Sequence, residues 1–444
     1  LEESHHLDNA SMKVLHRIRD LAVDTPLDFT GFNSTLRSYQ DVGVRWLWFL
    51  YNHHLSGLLC DDMGLGKTHQ AMALMAAAKN KQRGDKKKYF LVVCPTSVIY
   101  HWKEKIEEFA PGLRVLVFHG MTRSMDGFLV DYDVLLTSYG VLRVEKDIMS
   151  LIHFDVAIFD EIQVAKNHTS KVYKALCQIH SRSRIGLTGT PIENQLRELK
   201  SLFDIVLPTY MPSEKRYKEI FITPIEKGKD KKQRDRLSRF IKPFLIRRRK
   251  EDVLDDLPDK TEEVAHCGLV AEQIKIYQET LKGSRDQLVA DLKDGETSVP
   301  YMHVFALLMK LKQVCDHPAL FLNDIENYEK YSSGKWDLFV ELLQQAQASS
   351  QKVVIFSHYI GMLDIIEKHL RNKGIGYASL RGTTVKRGEE IQRFQKDPEC
   401  MVFVASLMAG GLGIDLTAAS VVIHYDRLWN AARENQATDR VHRI

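Results

Sequence analysis

Three short stretches of this chain carry residues whose types and spacing suit the transfer of a phosphoryl group. The first is LLCDDMGLGKTHQ, Leu58 to Gln70. It nearly fits the phosphate-cradling pattern of glycine, four residues, then Gly-Lys-Ser/Thr, but Asp61 stands where the first glycine belongs. Gly64 and Gly66 would let the backbone N–H groups of Asp62, Met63, Gly64, Leu65 and Gly66 approach phosphates at a helix N-terminus. Lys67 could then reach the β- and γ-phosphates, and the Thr68 hydroxyl could bind Mg²⁺. The second stretch, VAIFDEIQ, delivers Asp160 and Glu161 to the end of an apolar run. Asp160 is placed to hold Mg²⁺ through water, and Glu161 to polarise an attacking water. An acidic pair can also end a strand and cap the next helix, so this reading leans on the phosphate loop. The third stretch is ENQATDRVHRI, where Arg440 and Arg443 are spaced i, i+3 and share one helix face. A planar guanidinium pair suits the neutralisation of charge on a transferring phosphoryl group. By spacing alone, a solvent-facing basic stripe is the better explanation.

Such residues act together only if strands end at the loop and at the acidic pair. Apolar, β-branched runs supply those strands at 56–60 (SGLLC), 89–94 (YFLVVC), 114–120 (RVLVFHG), 133–138 (DVLLTS), 155–161 (DVAIFDE) and 184–190 (RIGLTGT). Without polar alternation, they predict strands buried on both faces in a parallel sheet covered by helices. From about Glu193 to Lys335 the pattern turns helical and charge-rich. Strands return at 352–358, 377–380, 401–406 and 420–426. The fold class expected is α/β, with two parallel-sheet lobes and helical insertions between them. In open parallel sheets the ligand crevice lies beyond the carboxyl ends of the strands, where both the loop and the acidic pair fall. The domain boundaries expected are a flanking segment at 1–30, amphipathic around MKVLHRIRDLA, and a first lobe at 31–245 with a helical protrusion at about 195–245. A linker and helical insertion at 246–335 and a second lobe at 336–444 complete the chain.

Composition narrows the class. At 444 residues, with 44% hydrophobic and 27% charged residues, the chain has the balance of an ordinary soluble protein of several domains. Its longest uncharged run, Cys400 to Ile414, is too short to span a bilayer, and no signal-peptide pattern is read. The six cysteines show no Cys-x-x-Cys pair, which fits reduced thiols and argues against structural zinc, the CDHP at Cys315 to Pro318 included. Net charge is only +4, but Lys227 to Lys250 holds twelve Lys and Arg against Asp230 and Asp235, a local +10. That run reads either as a solvated helix face or as a surface that meets phosphate backbone. The cluster KNKQRGDKKK from Lys79 reads as a surface loop.

Taken together and in order, these residues resemble the superfamily 2 helicase-like ATPases, and among them the Swi/Snf-type DNA-dependent ATPases. The resemblance runs from about Leu36 nearly to the end of the chain. LRSYQDVGVRWL is similar to the family's adenine-reading Q motif, which makes Gln40 the expected base contact. DDMGLGKT is similar to its phosphate loop, where an acidic first residue is usual, and that accounts for Asp61. VVCPTSVIYHW and LLTSYG resemble the motifs that line the nucleic-acid track of the first lobe. LTGTPIEN, Thr188 to Asn194, resembles the motif that couples hydrolysis to movement. FLIRRRKEDVLDDLPDK, CDHPAL and SGKWDLFVELL resemble blocks that lead into the second lobe. VVIFSHY, SLRG, SLMAGGLGIDLTAAS and DRLWNAARENQATDRVHRI resemble the second lobe itself. The resemblance implies RecA-like lobes, Arg440 and Arg443 as arginine fingers with Gln436 beside them, and ATP and Mg²⁺ as cofactors. Two features depart from the pattern. The usual DEAH or DEGH reads DEIQ, so Gln163 replaces histidine; an amide still hydrogen-bonds, and retained activity is expected. The chain ends at Ile444, where the family continues with Gly-Gln and a brace, which looks like an excised core.

The function expected is an ATP-driven translocase on double-stranded DNA, closing two lobes over ATP and moving along the duplex without strand separation. Its expected partners are double-stranded DNA and a DNA-bound protein cargo (nucleosome, polymerase or other), with no membrane, and the chain is expected to be a monomer. A strand-separating DNA or RNA helicase, and a scaffold that binds ATP without coupled hydrolysis, are the alternatives. A bacterial cytoplasm and a nucleus both suit such a protein, and the absence of long disordered insertions leans bacterial.

Overall fold

The computed structural model describes residues 27–81, 87–189, 191–192, 195–253, 261–293, 301–384, 386–407, 414, 416–428 and 431–441. The amphipathic pattern before Gly31, residues 82–86 of the basic cluster that starts at Lys79, and Thr190, Glu193, Asn194 and Arg443 fall outside them. The chain divides into two units, 1–257 and 258–444.

In the first unit, strands β1 (Gly57–Leu59), β2 (Phe90–Cys94), β3 (Val115–Phe118), β4 (Val134–Ser138), β5 (His153–Asp160), β6 (His180–Leu187) and β7 (Leu245–Ile246) form one sheet. Its order is β3-β4-β2-β5-β6-β1-β7, and every pairing is parallel. Each of the first six apolar runs becomes one of these strands, because all-apolar side chains can be buried on both faces only between helix layers. Five consecutive residues of β2 are 0% exposed. Helix α1 (Ser38–Asn52) buries Trp46, Leu47, Trp48 and Leu50. Helix α2 (Lys67–Asn80) is buried from Gln70 through Ala78, and its short side chains let its backbone lie close to its neighbours. β7 was not expected from sequence: two residues are too few to carry a periodicity.

The insertion in this unit is helical. A wide π-type turn at Lys218–Lys227 contains Pro224, tolerated there because proline's missing N–H matters less where the regular i to i−4 ladder is already broken. Helix α3 (Lys231–Ile241) follows. Asp230 caps it, accepting from Gln233 N at 3.1 Å, and only Leu237 is buried. Lys231, Lys232, Arg234, Arg236 and Arg239 of this helix are all exposed.

In the second unit, β8 (Val353–Ser357), β9 (Gly376–Leu380), β10 (Cys400–Ser406) and β11 (Val421–His424) pair in parallel in the order β11-β8-β10-β9. Successive side chains alternate between two cores, as the pleat requires. Val353 and Ile355 join Trp336, Phe339, Leu363 and Ile366 on one face, while Val354 and Phe356 join Phe394, Leu407 and Leu416 on the other. Helices α4 (Ala271–Lys293), α5 (Tyr301–Asp316) and α6 (Gly334–Ala348) precede the sheet. Gln273, 0% exposed, ties them together: its Nε2 donates to Val314 O at 2.9 Å and Ser333 Oγ at 3.2 Å, and its Oε1 accepts from Gly334 N at 3.1 Å.

Beside it, the CDHP stretch has a structural role. His317 is fully buried against Tyr328 and Trp336, and its Nδ1 accepts from Ala319 N at 3.2 Å. Burial lowers its pKa from 6.5 to about 4. Above pH 6.5 the imidazole is neutral in both folded and unfolded chains. As pH falls from 6.5 toward 4, only the unfolded chain takes the proton, so acidification costs stability at up to about 1.4 kcal/mol per pH unit. Asp316 has the opposite sign, its pKa raised from 3.8 to about 6 by burial despite its pair with Lys335 at 2.5 Å. His317→Gln should therefore gain thermal stability relative to the unsubstituted chain as pH falls from 6.5 to 4. Unfolding midpoints across that range, with a difference that stays constant, would refute the assignment.

Candidate active site

β1 ends at the phosphate loop and β5 ends at the acidic pair, with β6 between them, so both leave the same edge of a parallel sheet. In the loop, Gly64 (φ 88°) and Gly66 (φ 73°) take left-handed backbone conformations that side chains disfavour. At Gly66 a Cβ would also strike the Gln40 amide. Lys67 is nearly buried, and its Nζ donates to Asp61 O at 2.6 Å and Asp62 O at 3.1 Å, so the ammonium is folded against the backbone of its own loop. Thr68 follows on the first turn of α2. Leu65 O accepts from Tyr39 OH at 3.3 Å, Gln40 Nε2 at 3.3 Å and Gln70 Nε2 at 3.4 Å. Gln40, expected to contact a base, is thus bonded to the loop, while its Oε1 accepts from Arg37 N at 3.0 Å. Met63 packs where a side chain on Gly189 would stand, 2.9 Å from its Cγ.

The acidic pair is held from several sides. Asp160 Oδ2 accepts from the buried indole of Trp102 at 2.8 Å, its Oδ1 accepts from Glu161 N at 3.1 Å, and its backbone O accepts from Tyr139 OH at 2.7 Å. Burial foremost, and then the charge of Asp160, keeps the Tyr139 phenol and the Cys94 thiol well above their ordinary pKa values, so both stay neutral here. Glu161 is 8% exposed and adopts φ 52°, a left-handed conformation uncommon for a non-glycine residue, as the chain turns from β5 into the short turn Ile162–Ala165. Gln163 Nε2 donates to Glu161 Oε2 at 2.6 Å. The residue that replaces the expected histidine therefore bonds the carboxylate that would polarise water.

That contact predicts a kinetic split. Gln163→Leu removes the donor without adding charge and should lower kcat for ATP about tenfold, with KM little changed, whereas Gln163→His, which can still donate, should recover most of the loss. Steady-state phosphate release with duplex DNA present measures it, and an unaltered kcat in the leucine variant would argue against this role.

In the second unit, Gln436 is half-buried on helix α7 (Ala431–Thr438), and Arg440 just beyond is 3% exposed, with its backbone O accepting from Leu416 N at 3.0 Å. Arg443 lies outside the described residues. Sequence reasoning did not pick out Trp102, Tyr139, Gln70 or Arg248, because each acts through contacts between segments far apart in the chain.

A parallel sheet with a glycine loop, a loop lysine and an acidic pair at one edge defines a phosphate-loop nucleoside-triphosphatase. Family models make the class specific: the SNF2-related domain matches residues 39–320 and the helicase conserved C-terminal domain matches 334–444. The chain belongs to the SNF2-related family and is an ATP-hydrolysing core of helicase type. It is 38% identical over 429 residues to the putative ATP-dependent helicase/translocase YwqA of Bacillus subtilis, covering 93% of this chain and 45% of that protein. It is 33% identical to the nuclear protein STH1/NPS1 of Saccharomyces cerevisiae, over 97% of this chain and 34% of the relative. Among solved structures it matches the Sulfolobus solfataricus SWI2/SNF2 ATPase core in complex with dsDNA, with a TM-score of 0.51, 35% identity, and coverage of 95% of this chain and 87% of that one. The chain spans less than half the length of the curated relatives it matches.

Proposed function

We propose that this chain is the motor of a translocase on double-stranded DNA that remodels protein–DNA complexes. The observation that carries the reading is the preserved hydrolytic edge of the first unit: Lys67 in its loop, and Asp160 and Glu161 held by Trp102, Tyr139 and Gln163. A scaffold that only binds ATP would not need a water-polarising carboxylate turned and bonded in this way. The glycine cradle fits a triphosphate. The hydroxyl of Thr68 and the carboxylate of Asp160 are hard oxygen donors suited to Mg²⁺, which would neutralise phosphate charge. Glu161 takes the proton of the attacking water, Lys67 compensates charge on the phosphates, and Arg440 and Arg443 are the guanidinium groups proposed to stabilise the transferring phosphoryl. Gln40 and Gln436 are assigned to the nucleotide on the family resemblance.

Duplex DNA as the track is supported by the solved relative titled as a complex with dsDNA and by the exposed cationic face of α3. Lys231, Lys232, Arg234, Arg236 and Arg239 there are opposed on the helix only by Asp235, and such a surface binds phosphate backbone by releasing counterions. Translocation on the duplex is distinguished from strand separation by function, since both use the same catalytic residues. ATPase rates with duplex DNA, single-stranded DNA and RNA, with Lys67→Ala as the control, should show the largest stimulation by duplex. Triplex displacement should succeed where fork unwinding fails. Equal rates with and without nucleic acid would refute the coupled motor, and robust unwinding would replace it with a helicase. The cargo is proposed to be a DNA-bound protein, and the working form a monomer. No helix among the described residues is long and apolar enough to cross a membrane. The compartment proposed is the cytoplasm for a bacterial source and the nucleus for a eukaryotic one.

A further inference from the structure

Asp61, at the position where a generic phosphate loop has its first glycine, is 0% exposed and lies against Arg248, whose side chain is 14% exposed. The guanidinium grips it as a fork. Arg248 Nε donates to Asp61 Oδ1 at 2.9 Å and Nη2 donates to Oδ2, while Arg248 N adds a bond to Oδ1 at 3.2 Å. Gln70 Nε2 donates to Oδ2 at 3.1 Å and Gln70 Oε1 accepts from Arg248 Nη2 at 2.8 Å, so the first turns of α2 join the same cluster. Nη1 donates to Tyr39 O, and the guanidinium lies over the Tyr39 ring, 5.3 Å from its centroid. The backbones run together as well. Cys60 N donates to Ile246 O at 2.6 Å and Asp62 N to Arg248 O at 2.9 Å, and Lys250 N donates to Asp62 Oδ2 at 3.3 Å.

Within the basic run, exposure alternates from Arg247 to Lys250: Arg247 and Arg249 are exposed, Arg248 is partly buried, and Lys250, the first residue of the helix Lys250–Val253, is buried. Gly43 corroborates the arrangement. It occupies a helix interior, where glycine costs about 1 kcal/mol relative to alanine. A Cβ there would strike Gln70 Oε1 and come within 2.6 Å of Arg248 Nη2. The glycine in α1 makes room for the fork.

We propose that Arg248 is a positioning residue of the ATP site, acting through Asp61 to hold the phosphate loop in the shape that presents Lys67. The connection is short, because the backbone oxygen of the same Asp61 accepts from Lys67 Nζ. Strand β7 and the segment after it that bears Arg248 are in this way built into the nucleotide site. Displacement of that segment loosens the loop, and nucleotide bound to the loop favours the docked segment.

This inference rests on the ATPase reading, and its test separates the two. The full chain is compared with Arg248→Met, Asp61→Asn, the double variant and Gly43→Ala, reading the Kd of a fluorescent ATP analogue with Mg²⁺, and KM and kcat for ATP with duplex DNA. Arg248→Met and Asp61→Asn should each raise Kd and KM about tenfold, and the double variant should be no worse than either, because both remove one interaction. Gly43→Ala, which alters neither partner, should shift Kd in the same direction by a smaller factor. A pair that serves only folding would lower the unfolding midpoint and leave Kd and KM unchanged. That result, or losses that add in the double variant, overturns the proposal. If Arg248→Met does not fold, Arg248→Lys decides the matter, since it keeps the charge but not the fork: weakened ATP affinity supports the role, and unchanged affinity overturns it. Absence of ATP binding by the unsubstituted chain would refute the ATPase reading and this inference with it, whereas normal affinity in Arg248→Met refutes this inference alone.

Discussion

Replacement of Glu161 by glutamine is expected to reduce ATP turnover by about three orders of magnitude while leaving ATP binding nearly intact. The substitution keeps the shape and the ability to accept from Gln163 Nε2, now 2.6 Å from Oε2, and removes only the capacity to take a proton from water. The site invests in that capacity. Glu161 holds a left-handed φ of 52°, which costs a non-glycine residue on the order of 1 kcal/mol and persists only where the surroundings enforce it. Here the last residues of β5, paired through Asp160 with Leu187 of β6, fix the approach, and the Ile162–Ala165 turn fixes the exit. Phosphate release and binding of a fluorescent ATP analogue, measured on the same preparation, separate the two quantities. Turnover within a few-fold of the unsubstituted chain would exclude Glu161 as the base.

The second large effect is expected at a residue that touches no substrate. Trp102→Phe removes the indole N–H that donates to Asp160 Oδ2 at 2.8 Å, while most of the buried ring volume is kept. A carboxylate proposed to hold Mg²⁺ depends on such partners for its orientation, and losing one costs about 10- to 100-fold in metal affinity or activity. The expected result is a fall in kcat together with a higher Mg²⁺ concentration for half-maximal rate. A loss confined to the unfolding midpoint, with the Mg²⁺ titration unchanged, would make Trp102 a packing residue only. The same contact gives a physical connection between the stretch VVCPTSVIYHW, which resembles a track-lining motif, and the acidic pair. Trp102 is carried by the helix Ile99–Phe109, which follows β2.

Much of the architecture is legible in the sequence. Apolar runs of four to eight residues leave few choices other than strands buried on both faces, and each of the ten that were marked became a strand of one of the two parallel sheets. Composition was less informative in the stretch between them. The +10 of Lys227 to Lys250 reads from sequence either as a solvated helix face or as a surface that meets phosphate, yet the exposed residues of α3 and the inward Arg248 have different surroundings. A charge count cannot tell a solvated guanidinium from one that a buried carboxylate is holding. Strand β7 was invisible for a related reason. Two residues carry no period, and their pairing with Leu58 and Leu59 spans nearly the whole first unit in sequence.

The residues proposed to do chemistry stand out in the sequence alone, because their identities and short spacings are local. A glycine loop followed by Lys67 and Thr68, and an acidic pair after an apolar strand, are local patterns, whereas Arg440 and Arg443 took their reading from the family resemblance. The tertiary structure decided how those residues are held. Asp61 looked like an exception within a pattern and is the anchor of a buried ion pair with Arg248, 187 positions away. Gln163 looked like a substitution of uncertain consequence and donates to Glu161 itself. Trp102 gave no sign of its bond to Asp160. Partners of this kind are chosen by which strands lie side by side at one edge of a sheet, and sheet order is a long-range property that no local run of residues encodes.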